Sequence, residues 1–337
     1  MAVYPLRWRT NWVKVFSVCT TLLIVSIFVR ITLVAYARKR EIGEGFAAHN
    51  IGTGHVSADA IRNASDGESR QRLLFHLVWT TNADVLPEVA ALAVRSVCRF
   101  HPDADVHFWI LDADKFRNEP PRFECNVQYK ALDLTELFAG LPISTELFTK
   151  SSRKTRKYHI ADSARLVLVY KFGGIYLDTD IIILRHLAGF SNSLGFQDED
   201  FVNNALMIFD KGHPFIRFVI GQIPGYYNAR LSNALGPRLL TDCVTAWWKQ
   251  KPNNAIRLDD PTSARRIADA PQSAIFVYGA SLFYPIDYMF DMSTLSEQSL
   301  RQAVRGAYTF HLWSTMIKGN EEAKQFFLTF FSKFVGV

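Results

Sequence analysis

Between Leu73 and Leu184 the sequence alternates short apolar runs with longer stretches of helical spacing, and this alternation limits the fold more than any other feature. LLFHLVW (73–79) reads as a buried strand, and Leu86 to Phe100, with Pro87 at its start, as an apolar-rich helix. VHFWIL (106–111) is the next strand, followed by a loop with Pro120-Pro121 and a strand-like run near Val127. Tyr158 to Phe172 has helical spacing and ends at Gly173-Gly174, a C-cap signal. IYL and IIIL then read as strands. Strands alternating with helices imply an α/β domain with a largely parallel sheet, and 337 residues suffice for one large domain or two. Near the C-terminus Phe326, Phe327, Phe330, Phe331 and Phe334 form a helical stripe suited to core or partner packing. There is no internal repeat and no low-complexity tract.

The net charge of +6 invites a nucleic-acid reading, but its distribution argues against one. Seven of the 38 Lys/Arg fall in residues 1–40, a stretch without an acid, which leaves 31 basic against 32 acidic side chains beyond it. The basic balance belongs to an N-terminal tail, not to a polyanion-binding domain. That tail holds VFSVCTTLLIVSIFVRITLVAYA, Val15 to Ala37. As a helix it would span roughly 34 Å, enough for a hydrocarbon core of about 30 Å. Trp12 and Tyr36 sit where interfacial aromatics belong, whereas Arg30 would cost roughly 2.5–3.5 kcal/mol at mid-membrane unless it snorkels. The rival is a cleaved signal peptide, with Val15 to Val29 as h-region and Ala35-Tyr36-Ala37 as a small-x-small site. Span length favours the uncleaved anchor. Residues 38–70 are polar and read as a stem. The sequon Asn63-Ala64-Ser65 favours a luminal side beyond the span. Cys19 lies in the span. Among Cys98, Cys125 and Cys243 one disulfide is compatible with a secretory lumen, its pairing open, and no metal-site spacing occurs.

KFGGIYLDTDIIIL, Lys171 to Leu184, sets Asp178 and Asp180 between two apolar runs. Asp-x-Asp occurs four times (Asp103/Asp105, Asp112/Asp114, Asp178/Asp180, Asp198/Asp200), and only this copy sits between strand-like runs after a glycine pair. Acids rarely stand amid such residues unless something cationic meets them. Residues two apart in a strand share a side, so the two carboxylates can converge at the sheet's edge. Hard oxygen donors suit Mg²⁺ or Mn²⁺, which complete their shells with water and substrate phosphates. Such a metal neutralises a diphosphate as it leaves. Gly173 and Gly174 would let backbone approach the ligand. The plainer alternative is a solvated acidic turn. Asp162 and Arg165, three apart on one helix, share a face. By spacing alone they are a surface ion pair contributing well under ~1 kcal/mol.

Several blocks together carry a resemblance. ADSARLVLVYKFGGIYLDTDIIIL resembles the sugar-nucleotide core of the α-1,4-glycosyltransferases, and more distantly that of glycosyltransferases with a DxD sugar-binding region. VNNALMIF followed by KGHPF is similar to that family's Asn-Gly-x-Phe block, with Asn204 in place of glycine. YYNARLSNALGPRLLT matches its Tyr-Asn…Gly-Pro-x-Leu-Leu-Thr block through Tyr227, Asn228, Gly236, Pro237 and Thr241, and AYTFHLWSTMIKG resembles its closing His-x-Trp segment. The blocks run in the family's order over roughly residues 71–318, which is far more specific than one Asp-x-Asp.

The resemblance implies a GT-A (Rossmann-like) glycosyltransferase domain over 71–337. Ahead of it would come a cytoplasmic tail (1–14), a transmembrane signal-anchor (15–37) and a luminal stem (38–70), in a single-pass type II Golgi membrane protein. It implies a retaining enzyme with a UDP-sugar donor, Mn²⁺ or Mg²⁺, and a glycolipid or glycan acceptor; membrane lipid is a partner through the N-terminal helix, and nucleic acid is not. Carried over by position, Asp178 and Asp180 contact metal and donor, Asp162 and Arg165 contact sugar and phosphate, and Asn203 sits near the transferred sugar. Trp79 resembles the aromatic that stacks on uracil in distant relatives, with a core Trp as the plain alternative. His311 would be a third metal ligand, imidazole suiting Mn²⁺ better than Mg²⁺. The expected donor is of galactose type, with UDP-GalNAc and UDP-GlcNAc as alternatives, and the expected acceptor a β-galactoside or β-GalNAc-ended glycolipid. Retention would use same-face attack or a carboxylate from Asp198, Glu199 or Asp200. The basic cluster Arg153, Lys154, Arg156 and Lys157 reads as a solvated loop, or one facing lipid headgroups. Two rivals stand. One is a haloacid-dehalogenase-type phosphatase with Asp178 as nucleophile, Asp180 as acid/base and Asp259-Asp260 on Mg²⁺, against which Ile181 and the long preceding segment count. The other is a catalytically silent, membrane-tethered glycan-binding protein.

Overall fold

LFHLVW (Leu74–Trp79) alternates its side chains between two helical layers, and both layers bury them. Phe75 and Leu77 face one side and His76 the other, each with no exposed surface. This strand, β1, is central to the fold in a computed structural model that describes residues 72–81, 86–111, 121–250, 254–258, 270–291 and 294–336. The Val15–Ala37 span, the stem, the sequon and Asp259-Asp260 lie outside the described residues. Among those described, no helix is long and apolar enough to cross a membrane.

In chain order the elements after β1 are α1 (Glu88–Phe100), β2 (Asp105–Ile110), β3 (Asn126–Ala131), α2 (Leu134–Phe138), a 3₁₀ turn (Thr145–Lys150), α3 (Arg153–Phe172), β4 (Gly174–Leu177) and β5 (Ile181–Ile183). Then follow β6 (Ser193–Phe196), β7 (Val202–Phe209), α4 (Pro214–Tyr226), α5 (Pro237–Gln250), β8 (Ala255–Leu258), β9 (Ile275–Tyr278), α6 (Ala280–Phe283), α7 (Glu297–Ala303), β10 (Thr309–His311) and α8 (Glu321–Val335). The main sheet has the order β3-β2-β1-β4-β7-β6-β9-β8, and β5 pairs with β10 in a separate ribbon. Only β7 runs against its neighbours in the main sheet, so the expected α/β architecture with a largely parallel sheet is what forms.

One face of the sheet packs Phe75, Leu77, Val106, Phe108, Ile175 and Leu177 against α1 and α8, whose Phe327, Phe330 and Phe331 belong to the same core. Of the phenylalanine stripe, Phe327, Phe330 and Phe331 are therefore core packing, Phe326 is half-buried against it and Phe334 is exposed. Helix α3 lies on the other face and is buried almost all round from His159 to Val169, as a helix enclosed between sheet and further helices must be. It begins at Arg153, earlier than its apolar spacing indicates. Ser152 caps it through Thr155 N–H, and the Arg156 guanidinium donates to the carbonyls of Phe148, Thr149 and Ser151. The basic cluster is thus the first turns of a helix and not a loop.

Gly173 ends α3 with φ 72°, as its C-cap signal indicates. The reason both positions are glycine is internal to the fold. A Cβ on Gly173 would lie 2.7 Å from the Lys211 nitrogen, and one on Gly174 (φ 94°) would lie 2.4 Å from the Leu74 carbonyl oxygen. The pair starts β4, at the opposite end from the acids. The backbone it lets approach is the protein's own, so its placement as a ligand cradle is corrected.

Cys98 of α1 is bonded to Cys125, just before β3, and Cys243 is free and buried. The bond closes a sequence separation of 27 residues, and removing such a native crosslink costs about 2–5 kcal/mol. The double variant Cys98→Ala/Cys125→Ala is expected to unfold at least several degrees lower in a thermal scan under non-reducing conditions. Its far-UV circular dichroism should be unchanged, because α1 keeps its apolar contacts.

Candidate active site

Asp178 and Asp180 stand at the point where the chain leaves one sheet for another. The Asp178 N–H still donates to the Ala205 carbonyl at 2.8 Å, and the Ile181 N–H turns back to the Asp178 carbonyl at 3.0 Å. The two acids are therefore not in one strand, as the side-sharing reading expects. They flank a tight turn whose exit strand, β5, pairs with β10. In that ribbon His311 is opposite Ile181, and the Leu312 N–H donates to the Asp180 carbonyl at 2.9 Å. This pairing carries an imidazole from 131 residues away to the acids. One carboxylate oxygen each from Asp178 and Asp180 and one His311 ring nitrogen all lie within 4.8 Å of one another.

The two carboxylates have different environments. Asp180 Oδ1 is 3.1 Å from His311 Nε2, and Oδ2 accepts the Ser314 N–H at 2.9 Å. Burial alone would raise its pKa, but His311 and the hydrogen bonds from Ser314 outweigh burial and hold the carboxyl well below the usual range. Asp178 accepts the Tyr176 hydroxyl at 2.7 Å and both terminal nitrogens of Arg165, at 3.0 and 3.2 Å. Burial pushes its pKa up against the pull of Arg165, and the Asp180 charge adds to the rise. Its side chain remains a quarter exposed, so Asp178 is the acid that opens outward.

Arg165 is enclosed. Its guanidinium lies 4.9 Å over the Tyr176 ring, donates to the Asn204 carbonyl at 3.0 Å and sits 3.4 Å from Asp162 Oδ1. Asp162, itself buried, accepts the Asn204 amide at 3.0 Å, and burial raises its pKa despite Arg165. The surface ion pair that helix spacing suggests is thus overturned. The pair lies beneath the Asp-x-Asp turn because α3 is packed on that face of the sheet. Gly236 closes over it, and a Cβ there would stand 3.2 Å from Asp162 Oδ2.

Asn203, expected beside the transferred sugar, has its amide engaged at both ends. Nδ2 donates to Gln197 Oε1 and Oδ1 accepts the Ala205 N–H, each at 2.7 Å. Gln197 continues to Asp198, whose Oδ1 caps the N–H groups of Asp200 and Phe201. Asn203 therefore braces the β6–β7 turn, and its neighbour Asn204 is the residue that joins the acids. Trp79 ends β1 opposite Ile110 of β2, at the end of the sheet where the parallel β4 leads into the Asp-x-Asp turn. Its indole nitrogen is buried without a partner among the described residues.

Four contributors have no site role in the reading by motif: Tyr176, Asn204, Trp313 and Ser314. Tyr176 carried a signal, being two residues before Asp178 on the same strand. Trp313 carried one as the Trp of the His-x-Trp segment, though not its part in the site, and Ser314 carried none, because its part is a backbone N–H. Trp313 has φ 48°, uncommon for a bulky residue. Its ring lies 3.8 Å from that of His311 and its Nε1 donates to the Ile286 carbonyl at 3.0 Å.

The donor set fits a divalent cation. Two carboxylates and an imidazole converge, and His311 Nδ1 is buried with no partner of its own among the described residues.

Two family models match the chain. One is described as "Glycosyltransferase sugar-binding region containing DXD motif" and covers residues 87–201; the other, "Alpha 1,4-glycosyltransferase conserved region", covers 208–327. The lactosylceramide 4-alpha-galactosyltransferase of Rattus norvegicus is 29% identical over 67% of this chain and 63% of its own length. That of Pongo pygmaeus is 30% identical over 58% of this chain and 85% of its own. The alpha-1,4-N-acetylglucosaminyltransferase of Homo sapiens is 25% identical over 71% of this chain and 69% of its own. The chain thus spans under two thirds of the length of the rat relative. With the matched segments meeting at the acids, Arg165 and His311, the chain belongs to the α-1,4-glycosyltransferase family.

Proposed function

We propose that this chain is a retaining, metal-dependent α-1,4-glycosyltransferase of GT-A type that moves a hexose from a UDP-sugar to a galactoside-ended acceptor. The observation that carries the reading is the convergence of Asp178, Asp180 and His311 at the end of a strand. The mouth they form lies outside the carboxyl ends of β1 and β4, where open α/β sheets bind ligands. The cation is Mn²⁺ by preference, since imidazole is a better ligand for it than for Mg²⁺. When bound it supplies charge neutralisation to the leaving diphosphate. Asp178, partly exposed, meets both cation and donor, whereas Asp180 and His311 hold the cation from the closed side. Arg165 fixes the Asp178 carboxylate in a two-pronged grip and presents Asp162 beneath the sugar. Trp79 is the candidate platform for the uracil ring.

A galactose-type donor and a glycolipid acceptor follow from the names of the rat and orangutan relatives; the human N-acetylglucosaminyltransferase keeps UDP-GlcNAc as the alternative. Retention by same-face attack is supported by Asp198, whose two oxygens are taken by its own turn and by Gln197. A glycosyl-enzyme trapped on Asp198, Glu199 or Asp200 would overturn that route. The reading includes a type II anchor at Val15–Ala37 in the Golgi membrane with the catalytic unit in the lumen, supported by the length and apolar character of that segment. The phosphatase reading loses ground because both Asp178 oxygens are held by Arg165, a poor state for a nucleophile.

The deciding assay is UDP release from UDP-Gal, UDP-GalNAc and UDP-GlcNAc with a lactosyl lipid as acceptor. Release from none by folded, Mn²⁺-supplied protein would leave the silent glycan-binding reading.

Asp178→Asn and Asp180→Asn are expected to lower turnover by about 100-fold or more without loss of fold. His311→Ala should weaken Mn²⁺ binding about 10- to 100-fold in a calorimetric titration. If the Mn²⁺ affinity of His311→Ala matched wild type while its melting temperature fell, His311 would be a core histidine.

Arg165→Lys keeps the charge but cannot span Asp178, Asp162 and the Asn204 carbonyl together. Turnover is expected to fall about 100-fold with near-native stability, because a cation still sits beside the two acids. Arg165→Met should instead cost about 3–5 kcal/mol in denaturant titrations, Asp162 and Asp178 being left without a cationic partner. An Arg165→Lys enzyme as active as wild type would show that the fork geometry is dispensable.

A further inference from the structure

Seven large apolar side chains are exposed among the described residues, and three of them lie on two loops that Trp313 joins next to His311. Met289 is 72%, Phe290 44% and Met316 57% exposed. The remaining four, Tyr158, Phe172, Leu231 and Phe334, are dispersed over other elements. The loop after α6 makes a braced tip. Asp287 accepts the Met289 N–H through Oδ1 at 2.7 Å and the Phe290 N–H through its carbonyl at 3.0 Å. The loop after β10 presents Met316, whose N–H donates to the Trp313 carbonyl at 2.7 Å. Trp313 clasps the two loops together by its hydrogen bond to Ile286 and by its ring contact with Tyr288 at 5.7 Å. Its other contact is His311, so the apolar tips begin one side chain away from the proposed metal ligand.

We propose that Met289, Phe290 and Met316 form a lip that inserts into a lipid surface and delivers a membrane-borne acceptor to the metal centre. The proposal rests on the transferase reading above and specifies the physical state of the acceptor. Pliant thioethers and a phenyl ring at loop tips suit the boundary between headgroups and acyl chains, a fluid partner that needs no matching groove. Beyond residue 40 the chain is nearly balanced in charge, 31 basic against 32 acidic side chains. The attraction is therefore apolar insertion and does not call for anionic lipid. The geometry also accounts for the clasp at Trp313: a lip joined rigidly to the site keeps a headgroup sugar at a set depth.

The test uses the full chain reconstituted in phosphatidylcholine vesicles, in two arms. In the first, a fluorophore on Met289→Cys, with the labelled unsubstituted chain as blank, is challenged with nitroxide-bearing lipid or aqueous iodide. Quenching by the lipid and protection from iodide is the expected result; the reverse overturns the lip. In the second, the Met289→Ser/Phe290→Ser/Met316→Ser variant is compared with wild type on a lactosyl lipid in the bilayer and on free lactose. Its kcat/KM should fall about 10-fold or more on the lipid and stay within about twofold on lactose, the lost apolar burial being felt only at the membrane. An equal fall on both acceptors, or none on either, overturns the proposal. If wild type glycosylates neither acceptor from any UDP-sugar, the transferase reading fails while the quenching arm still decides the lip.

Discussion

The grip of Arg165 on Asp178 is the interaction on which the rest of the site depends. Three carboxylates, Asp162, Asp178 and Asp180, stand here against one guanidinium with scarcely any exposed surface. Each buried charge carries a desolvation penalty of several kcal/mol, recovered only when geometry and hydrogen bonding are complete. Arg165 meets that condition, with its donors directed at Asp178, Asp162 and the Asn204 carbonyl and its face on Tyr176. With all three acids ionised, the cluster keeps an excess of two negative charges beside an opening to solvent. A divalent cation would close that balance, which supports the proposed metal site.

Asp178 and Asp180 divide the work by environment. Asp180 is locked on both oxygens by His311 and the Ser314 N–H, which hold its carboxyl below the usual carboxylate range against burial. Asp178 is raised by burial and reaches water. A carboxylate pinned on the closed side fixes where a cation sits; one on the open side, held by an arginine, can meet a second ligand. The turn between two sheets makes this asymmetry. Within a single strand both acids would have faced one environment.

Much of the fold was legible because its signals were local. Strand and helix periods predicted the α/β order, and Gly173 announced the end of α3. The phenylalanine stripe showed an apolar helix face by its spacing, three of whose members are core. What stayed hidden depended on contacts between distant segments. Asp162 and Arg165 look like a surface pair because helix spacing does not tell which layer covers the helix. Gly173 and Gly174 look like a ligand cradle because the sequence does not show the Leu74 carbonyl that one of them must clear. Asn203 and Asn204 are adjacent and chemically identical, and only the direction each faces on β7 sends one to the acids and the other to the β6–β7 turn. The disulfide had three candidate cysteines and no local signal to choose among them.

Trp313 shows how that long-range information is stored. A bulky residue with φ near +50° is held there against a cost of about 1–3 kcal/mol, so its surroundings must over-determine it. Four contacts do so: the indole N–H on Ile286, the ring on His311, the Met316 N–H on its carbonyl, and the following Ser314 N–H on Asp180. Two of these touch residues proposed to hold the cation and two reach the loops that carry the exposed apolar tips. A displacement of the tips on meeting a surface would therefore act on the backbone of this turn, and through it on His311 and Asp180. On the proposed reading the strained residue would link the opening of the site to its chemistry: loss of its ring would loosen the contact with His311, and loss of its indole N–H the contact with Ile286.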